Sequence, residues 1–298
     1  MTQSRISTGY RVDTASDNAA YWSIATTMRS DNKALSAVED ALALGAATLD
    51  TAYTGMSTAI DVMDEVKAKL VAAREPGVDK GKINKELTQL KEQLRSIVDS
   101  STFNGQNWLE WNSGADSADK TLVASFVRQQ DGSVSVGTIT YGITTGYGIT
   151  GINYLVDNGG VGEYGILTSD AFSTSVGAAS AYVLFKGATN PGSTVEMVLD
   201  QSTTDTQVDD MIKTVDAMGQ RMIDVAADMG ALKSRVEMQN KFISKLSDTI
   251  ETGVGKLVDA DMNEESTRLK ALQTQYQLGL QSLSIANSDA QSILSLFR

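Results

Sequence analysis

The feature that most constrains this chain is an apolar repeat of seven residues that occurs twice, in two segments far apart. Leu35, Leu42, Leu49, Met56, Met63 and Leu70 follow one another at seven-residue steps, and Val38, Gly45, Ala52, Ala59, Val66 and Ala73 sit three positions after each. These rows are the a and d seam of a long helix, and the small residues of the second row let a neighbouring backbone approach closely. Pro76-Gly77 stops that helix. A shorter one follows, with Ile83, Leu87, Leu90, Leu94 and Ile97 on one face. The seven-residue device returns as Val208, Val215, Met222, Met229, Val236, Ile243, Ile250 and Leu257, beside Met211, Met218, Val225, Leu232, Gln239, Leu246 and Gly253. At about 1.5 Å per residue the second segment makes a rod of roughly 75 Å. A seam so narrow cannot be buried by one helix alone, so the two heptad segments are expected to pack on each other. Methionine at these steps reads as a packed seam rather than an adaptable groove.

The intervening chain is a different kind of polymer. It holds 15 of the 25 glycines, and its only basic residues are Lys120, Arg128 and Lys186. Thr121 to Arg128 and Ser133 to Val136 alternate around Gln129-Gln130-Asp131-Gly132, which predicts a hairpin. Tyr182 to Lys186 and Val195 to Leu199 around Thr189-Asn190-Pro191-Gly192 predict another, and Tyr141-Gly142-Ile143-Thr144 recurs as Tyr147-Gly148-Ile149-Thr150. The expected fold class is α+β: a long antiparallel coiled-coil-like helical rod with an inserted small β-rich domain. The divisions fall at 1–105 for the N-terminal rod helices, 106–205 for the β-rich outer domain, 206–257 for the C-terminal rod helix and 258–298 for a terminal helix. That last segment carries Leu269, Leu272, Tyr276, Leu280, Leu283, Ile293, Leu294, Leu296 and Phe297, too apolar a set for a free tail.

Composition removes most chemistry. Neither cysteine nor histidine is present, so thiolate nucleophiles, cysteine or histidine metal sites and the commonest general base are absent. With 25 Lys+Arg against 37 Asp+Glu the formal charge is −12, and no basic stripe exists for nucleic acid. No apolar run reaches the roughly 18 residues of a membrane span, and the N-terminus lacks the apolar core of a secretory signal. Gly146-Tyr147-Gly148-Ile149-Thr150-Gly151 spells the dinucleotide fingerprint, but Asn158-Gly159-Gly160 follows where a helix is required. Asp259-Ala260-Asp261-Met262-Asn263 begins like a calcium loop but has Glu264 and Lys270 at the sixth and twelfth positions, so a helix cap is expected instead. The carboxylate pairs Glu163 with Asp170 and Glu196 with Asp200 could serve a glycosidase only if they converged. No catalytic, metal-binding or cofactor-binding residue is expected. Trp108 and Trp111 read as an aromatic plug at the helix-to-β junction, with a carbohydrate platform including Trp22 as the alternative.

Five short motifs in the two flanks resemble bacterial flagellin. They are Arg5-Ile6-Ser7-Thr8-Gly9-Tyr10-Arg11-Val12, Asp17-Asn18-Ala19-Ala20, Phe103-Asn104-Gly105, Val258-Asp259-Ala260-Asp261 and the ending Ile293-Leu294-Ser295-Leu296-Phe297-Arg298. The run from Asp17 to Ala25 is most similar to the rhizobial, alphaproteobacterial members. The resemblance implies a structural subunit of the flagellar filament that assembles with other copies for motility, its β insertion facing outward. It implies polymerisation through Arg5, Gly9, Asp17, Leu269, Leu272, Tyr276, Leu280, Leu283 and Leu294. It further implies passage unfolded through the flagellar export apparatus with a chaperone, without a cleaved signal, to an extracellular filament. Met1 stands close to the first motif, which reads as an N-terminally truncated chain that polymerises poorly and lacks the partner of its last helix. The alternative reading is a cell-surface adhesin on a flagellin scaffold, with a glycan as partner of the insertion; Thr168 to Ser180 is a candidate for attached glycans.

In flagellins sensed by the vertebrate innate receptor, the resemblance places an arginine-rich patch near the end of the first rod helix. Here that stretch is Asp64-Glu65-Val66-Lys67-Ala68-Lys69-Leu70, with Glu65 where an arginine is expected. Receptor reporter cells are therefore expected to respond weakly or not at all to the purified protein, and a potent response would refute this.

Overall fold

Seams at seven-residue spacing need another helix to cover them, and the chain supplies two long ones, α2 (Ala19–Ala72) and α5 (Asp205–Val258). The remaining helices are α1 (Thr2–Thr8), α3 (Lys80–Ser100), the short α4 (Ala171–Ser175) and α6 (Met262–Leu296). The structure, a computed structural model, describes residues 2–111, 119–129, 131–142, 152–158, 165–186 and 194–296, with backbone alone at 119 and 287–296. Contacts divide the chain into two units, Ala37–Ile243 and a second formed by Met1–Ser36 with Ser244–Arg298.

Within Ala37–Ile243 the two long helices run antiparallel. From Arg74, just past the end of α2, back through Lys67 to Asp50, the ion-pair partners climb α5 from Asp209 (2.8 Å) through Asp216 (2.5 Å) to Lys233 (2.6 Å). Eleven of the twelve predicted seam residues belong to this unit: Leu42, Leu49, Met56, Met63, Leu70, Val208, Val215, Met222, Met229, Val236 and Ile243. All are 2% exposed or less. Leu35, in the other unit, is also buried. The third helix, α3, begins at Asp79, whose carboxylate accepts from the backbone N–H groups of Gly81 and Lys82. It buries Ile83, Leu87, Leu90, Leu94 and Val98. Val98 thus replaces Ile97 of the expected row, a one-residue rotation at the helix end, where the Ile97 carbonyl accepts from both the N–H and the hydroxyl of Ser101.

The small residues of α2 admit more than a partner helix. A Cβ on Gly45 would stand 2.5 Å from Cδ2 of Leu122, and one on Gly55 would stand 2.2 Å from Oγ of Ser101 and 2.8 Å from Cδ1 of Leu109. The β region therefore closes directly onto the helix. It starts with the hairpin β1 (Thr102–Phe103) and β2 (Gln106–Asn107), whose turn needs positive φ at both Asn104 (50°) and Gly105 (75°). That is the conformational reason for Phe103-Asn104-Gly105. The longer hairpin pairs β4 (Asp119–Arg128) with β5 (Val134–Gly142) as expected, with a register shift between Val123 and Ser125. Leu122, Ala124, Ile139 and Tyr141 are its buried residues.

The second predicted hairpin is corrected. β7 (Ala181–Val183) and β8 (Thr194–Glu196) pair in parallel, Tyr182 opposite Val195. A hairpin would reverse the chain within a few residues, but Leu184 and Phe185 leave the strand to donate to the Leu167 carbonyl, and the chain re-enters from the same end. β3 (Glu110–Trp111) and β6 (Val156–Asp157) are also parallel. The segment after β8 lies along α3: Glu196 pairs with Lys91, Leu199 N–H donates to Asn84 Oδ1 (3.0 Å), and Lys80 donates to the Thr203 carbonyl (2.6 Å). The dinucleotide-like run, the second Tyr-Gly-Ile-Thr copy, Thr189 to Gly192 and Glu163 lie outside the described residues.

In the second unit the ends of the long helices are again antiparallel, with Ser247 Oγ donating to Asn32 Oδ1 at 2.7 Å. Val12, Ala25, Val254 and Val258 form its core, flanked by Tyr10, Met28, Ile250 and Leu257. Here the strict heptad of α5 ends. Ile250 and Leu257 are only half-buried, and the buried positions pass from Ile243 to Val254 and Val258. A step of eleven residues relaxes the left-handed supercoil that a seven-residue repeat imposes.

The seam makes a stability prediction. Met222 and Val236 are buried in the apolar seam, so Met222→Asp or Val236→Asp buries an unpaired carboxylate and is expected to cost about 3 kcal/mol or more. Urea unfolding of each variant measures it, and an unchanged midpoint would remove the seam assignment.

Candidate assembly surface

The predicted assembly residues all belong to the unit of Met1–Ser36 and Ser244–Arg298, and the structure gives them three kinds of task. Gly9 ends α1: its N–H donates to the Arg5 carbonyl at 2.8 Å, and its φ of 76° is a left-handed conformation that favours glycine. Its own carbonyl accepts from Ala260 N–H (2.9 Å), while Arg11 N–H donates to the Val258 carbonyl (2.6 Å) and Tyr10 bridges Asp259 in antiparallel fashion. The first motif thus pairs, backbone to backbone, with the fourth. Arg5 adds an ion pair at 3.0 Å to Glu265, whose side chain is 8% exposed.

Asp17 braces the loop before α2. Its Oδ2 accepts from the N–H groups of Asp13 (3.2 Å) and Thr14 (3.0 Å) and from the Thr14 hydroxyl (3.1 Å). The bonds from Thr14, backbone first, hold this carboxyl below the usual aspartate range. The bracing is therefore complete above the ordinary carboxylate range and is lost only as pH falls through the lowered value. Asn18 caps α2 through bonds from Ala20 and Tyr21 N–H, both 3.1 Å. At the other end Asp261 caps α6, its Oδ1 accepting from Asn263 N–H at 2.9 Å and Glu264 N–H at 3.3 Å. That is the cap expected in place of a calcium loop.

The third group stands apart from this network. Leu272 (46%), Tyr276 (69%), Leu280 (52%) and Leu283 (66%) are exposed, and Leu269 is half-buried. Their spacing of three and four residues puts them on one face of α6. The side chain of Leu294 lies outside the described residues. Spacing did not single out Leu278, which is 59% exposed on a different face. Nor did it find Glu265 or Asn18, because an ion pair across the whole chain leaves no periodic mark, and Asn18 was visible only as part of a motif.

Other candidate sites resolve differently. Trp108 and Trp111 are buried, stacked on Tyr141 and tilted on Tyr154, each at 5.5 Å between ring centroids, so neither can line a glycan platform. Burial also pushes the Tyr141 phenol well above its usual range; its hydroxyl donates to the Asn153 carbonyl at 3.0 Å. Arg221 of α5 donates to the Ile152 carbonyl at 2.9 Å and to Asn153 Oδ1, tying this β segment to the helix. Glu196 is taken by Lys91, and Asp200 accepts from Ser202 and Thr203, so these two carboxylates serve separate structural bonds. In the stretch proposed for glycans, Thr168, Ser169 and Ser173 are buried while Thr174 and Ser175 are exposed. Among the described residues no cluster of three or more potential metal ligands converges, and no helix is long and apolar enough to cross a membrane.

The comparisons agree with this geometry. Residues 1–114 match the bacterial flagellin N-terminal helical region and residues 212–297 the bacterial flagellin C-terminal helical region. Flagellin C of Rhizobium meliloti (strain 1021) is 55% identical over 302 residues, covering 100% of this chain and 92% of the relative. Flagellin A of the same strain is 46% identical, with 100% and 93% covered, and a flagellin of Brucella melitensis is 43% identical, with 100% and 90% covered. The chain therefore belongs to the bacterial flagellins, of the rhizobial type, and is a non-enzymatic structural subunit of the extracellular flagellar filament.

Proposed function

We propose that this flagellin joins its filament through the exposed row Leu272, Tyr276, Leu280 and Leu283 of α6, held in place by the Arg5, Gly9 and Asp17 network. The observation that carries the reading is the row itself. Four large side chains at helical spacing stand in water on a helix that has no charged residue between Ala271 and Ser288. Covering each is worth about 1.5–3 kcal/mol before the entropy of association is subtracted. A partner helix from other flagellin subunits satisfies that demand. Before assembly, a chaperone of the export apparatus would cover the same row, and export unfolded, without a cleaved signal, accords with a chain that has no disulfide to break.

Seeded assembly followed by electron microscopy tests the row. Leu280→Glu combined with Leu283→Glu alters only exposed positions, so thermal unfolding of the free chain is expected to stay unchanged. Elongation on filament seeds is expected to fall at least tenfold. Elongation at the rate of the unaltered chain would overturn the proposal.

A further inference from the structure

The turn between β1 and β2 consists of Asn104 and Gly105, both exposed and both at positive φ. Asn104 is the one non-glycine residue in that conformation among the described residues. Neither its side-chain amide nor the N–H of Gly105 has a hydrogen-bond partner among the described residues. A side chain added at Gly105 would meet nothing within 4 Å, so the space around this pair is open.

The sequence holds one other Asn-Gly step, Asn158-Gly159. The structure restrains its asparagine at two points. Asn158 Nδ2 donates to Glu110 Oε1 at 2.5 Å, and its backbone N–H donates to the Trp111 carbonyl at 2.9 Å.

We infer that Asn104 is a site of spontaneous covalent modification, in which the Gly105 nitrogen attacks the Asn104 side-chain carbonyl and the amide leaves as ammonia. The bond from Gly105 N to Asn104 Cγ forms, the Cγ–Nδ2 bond breaks, and the proton lost by Gly105 departs on the ammonia. The product is a five-membered succinimide. Water then opens that ring at one carbonyl or the other, giving aspartate or isoaspartate. Glycine favours the attack because no side chain shields its nitrogen. Negative charge develops on the Asn104 carbonyl oxygen during attack, and there it is open to water. At Asn158 the Glu110 carboxylate opposes the same charge and holds the amide in place.

The change matters to the fold. A two-residue hairpin turn with positive φ at both positions accepts asparagine and glycine, whereas isoaspartate lengthens its backbone by a methylene. The strand that follows carries Asn107, whose Nδ2 donates to the Val98 carbonyl (2.7 Å) and whose Oδ1 accepts from Leu109 N–H (2.9 Å). Asn107 thereby joins the end of α3 to the buried Trp108 and Leu109. Isoaspartate at position 104 loosens that joint, and in an extracellular filament the change accumulates with the age of the subunit.

Ageing the purified full chain in mildly alkaline buffer, which helps Gly105 N–H lose its proton, tests this by peptide mass spectrometry. The Asn104 peptide is expected to exchange NH for O at least tenfold faster than the Asn158 peptide, and the two rates are expected to become equal in urea. Asn104→Gly suits the positive φ and removes the reactive amide. The aged unaltered chain is expected to melt below the fresh one, while aged Asn104→Gly keeps its fresh melting temperature. Equal rates at Asn104 and Asn158 in the folded chain, or a loss of melting temperature shared by Asn104→Gly, would overturn the inference. The modification is independent of the α6 row, and failure of either leaves the other standing.

Discussion

Everything in this molecule depends on the need of a narrow apolar seam for a second helix. A helix as long as α5, with apolar residues at one position in seven, gains little from propensity and most of its stability from packing. The partner it finds is α2, and their antiparallel pairing brings the two ends of a long chain together. That closure is what permits an insertion. The β region joins α3 to α5, so it can vary without moving the seam, provided it keeps its attachments to the helices. Those attachments are specific: Gly45 and Gly55 leave room for Leu122, Leu109 and Ser101, Arg221 holds the Ile152 carbonyl and Asn153, and Lys91, Asn84 and Lys80 of α3 hold the segment after β8. Ion pairs along the pair of helices lie at its rim, where they set direction more than stability; exposed pairs contribute little each.

The same logic explains why the terminal unit is built differently. Its core is small, with four buried residues and their half-buried neighbours, and backbone pairing compensates. The Gly9–Ala260 and Arg11–Val258 bonds join the start of the chain to the turn between α5 and α6, Asp17 braces the loop before α2, and Asn18 and Asp261 satisfy helix ends that would otherwise present bare N–H groups. The result fixes where α6 begins while leaving its apolar row uncovered. A subunit that must join others needs such an arrangement: an anchored base and an unsatisfied face.

Much of the fold was legible because it is periodic. Leu42 through Leu70 and Val208 through Ile243 announce their burial by spacing alone, and Gln129 to Gly132 announces a turn by composition. The periodic signal failed where geometry drifts: after Ile243 the buried row leaves the heptad, and Val98 takes the place of Ile97. It failed more completely where pairing is set at a distance. The residues of β7 and β8 have strand character, but they meet in parallel while Leu184 and Phe185 bond to the Leu167 carbonyl, pairings that no local pattern records. The proposed assembly surface was legible only in part. The α6 row is periodic, whereas Glu265, the buried partner of Arg5, lies so far along the chain that only folding reveals the pair.

Charge accounts for what spacing leaves open. Copies bearing −12 repel one another, and at physiological salt that repulsion acts over about 8 Å, so surfaces that meet in a polymer must be empty of charge or opposite in sign. The α6 stretch from Ala271 to Ser288 takes the first course, with glutamine, serine and threonine in place of ionised groups.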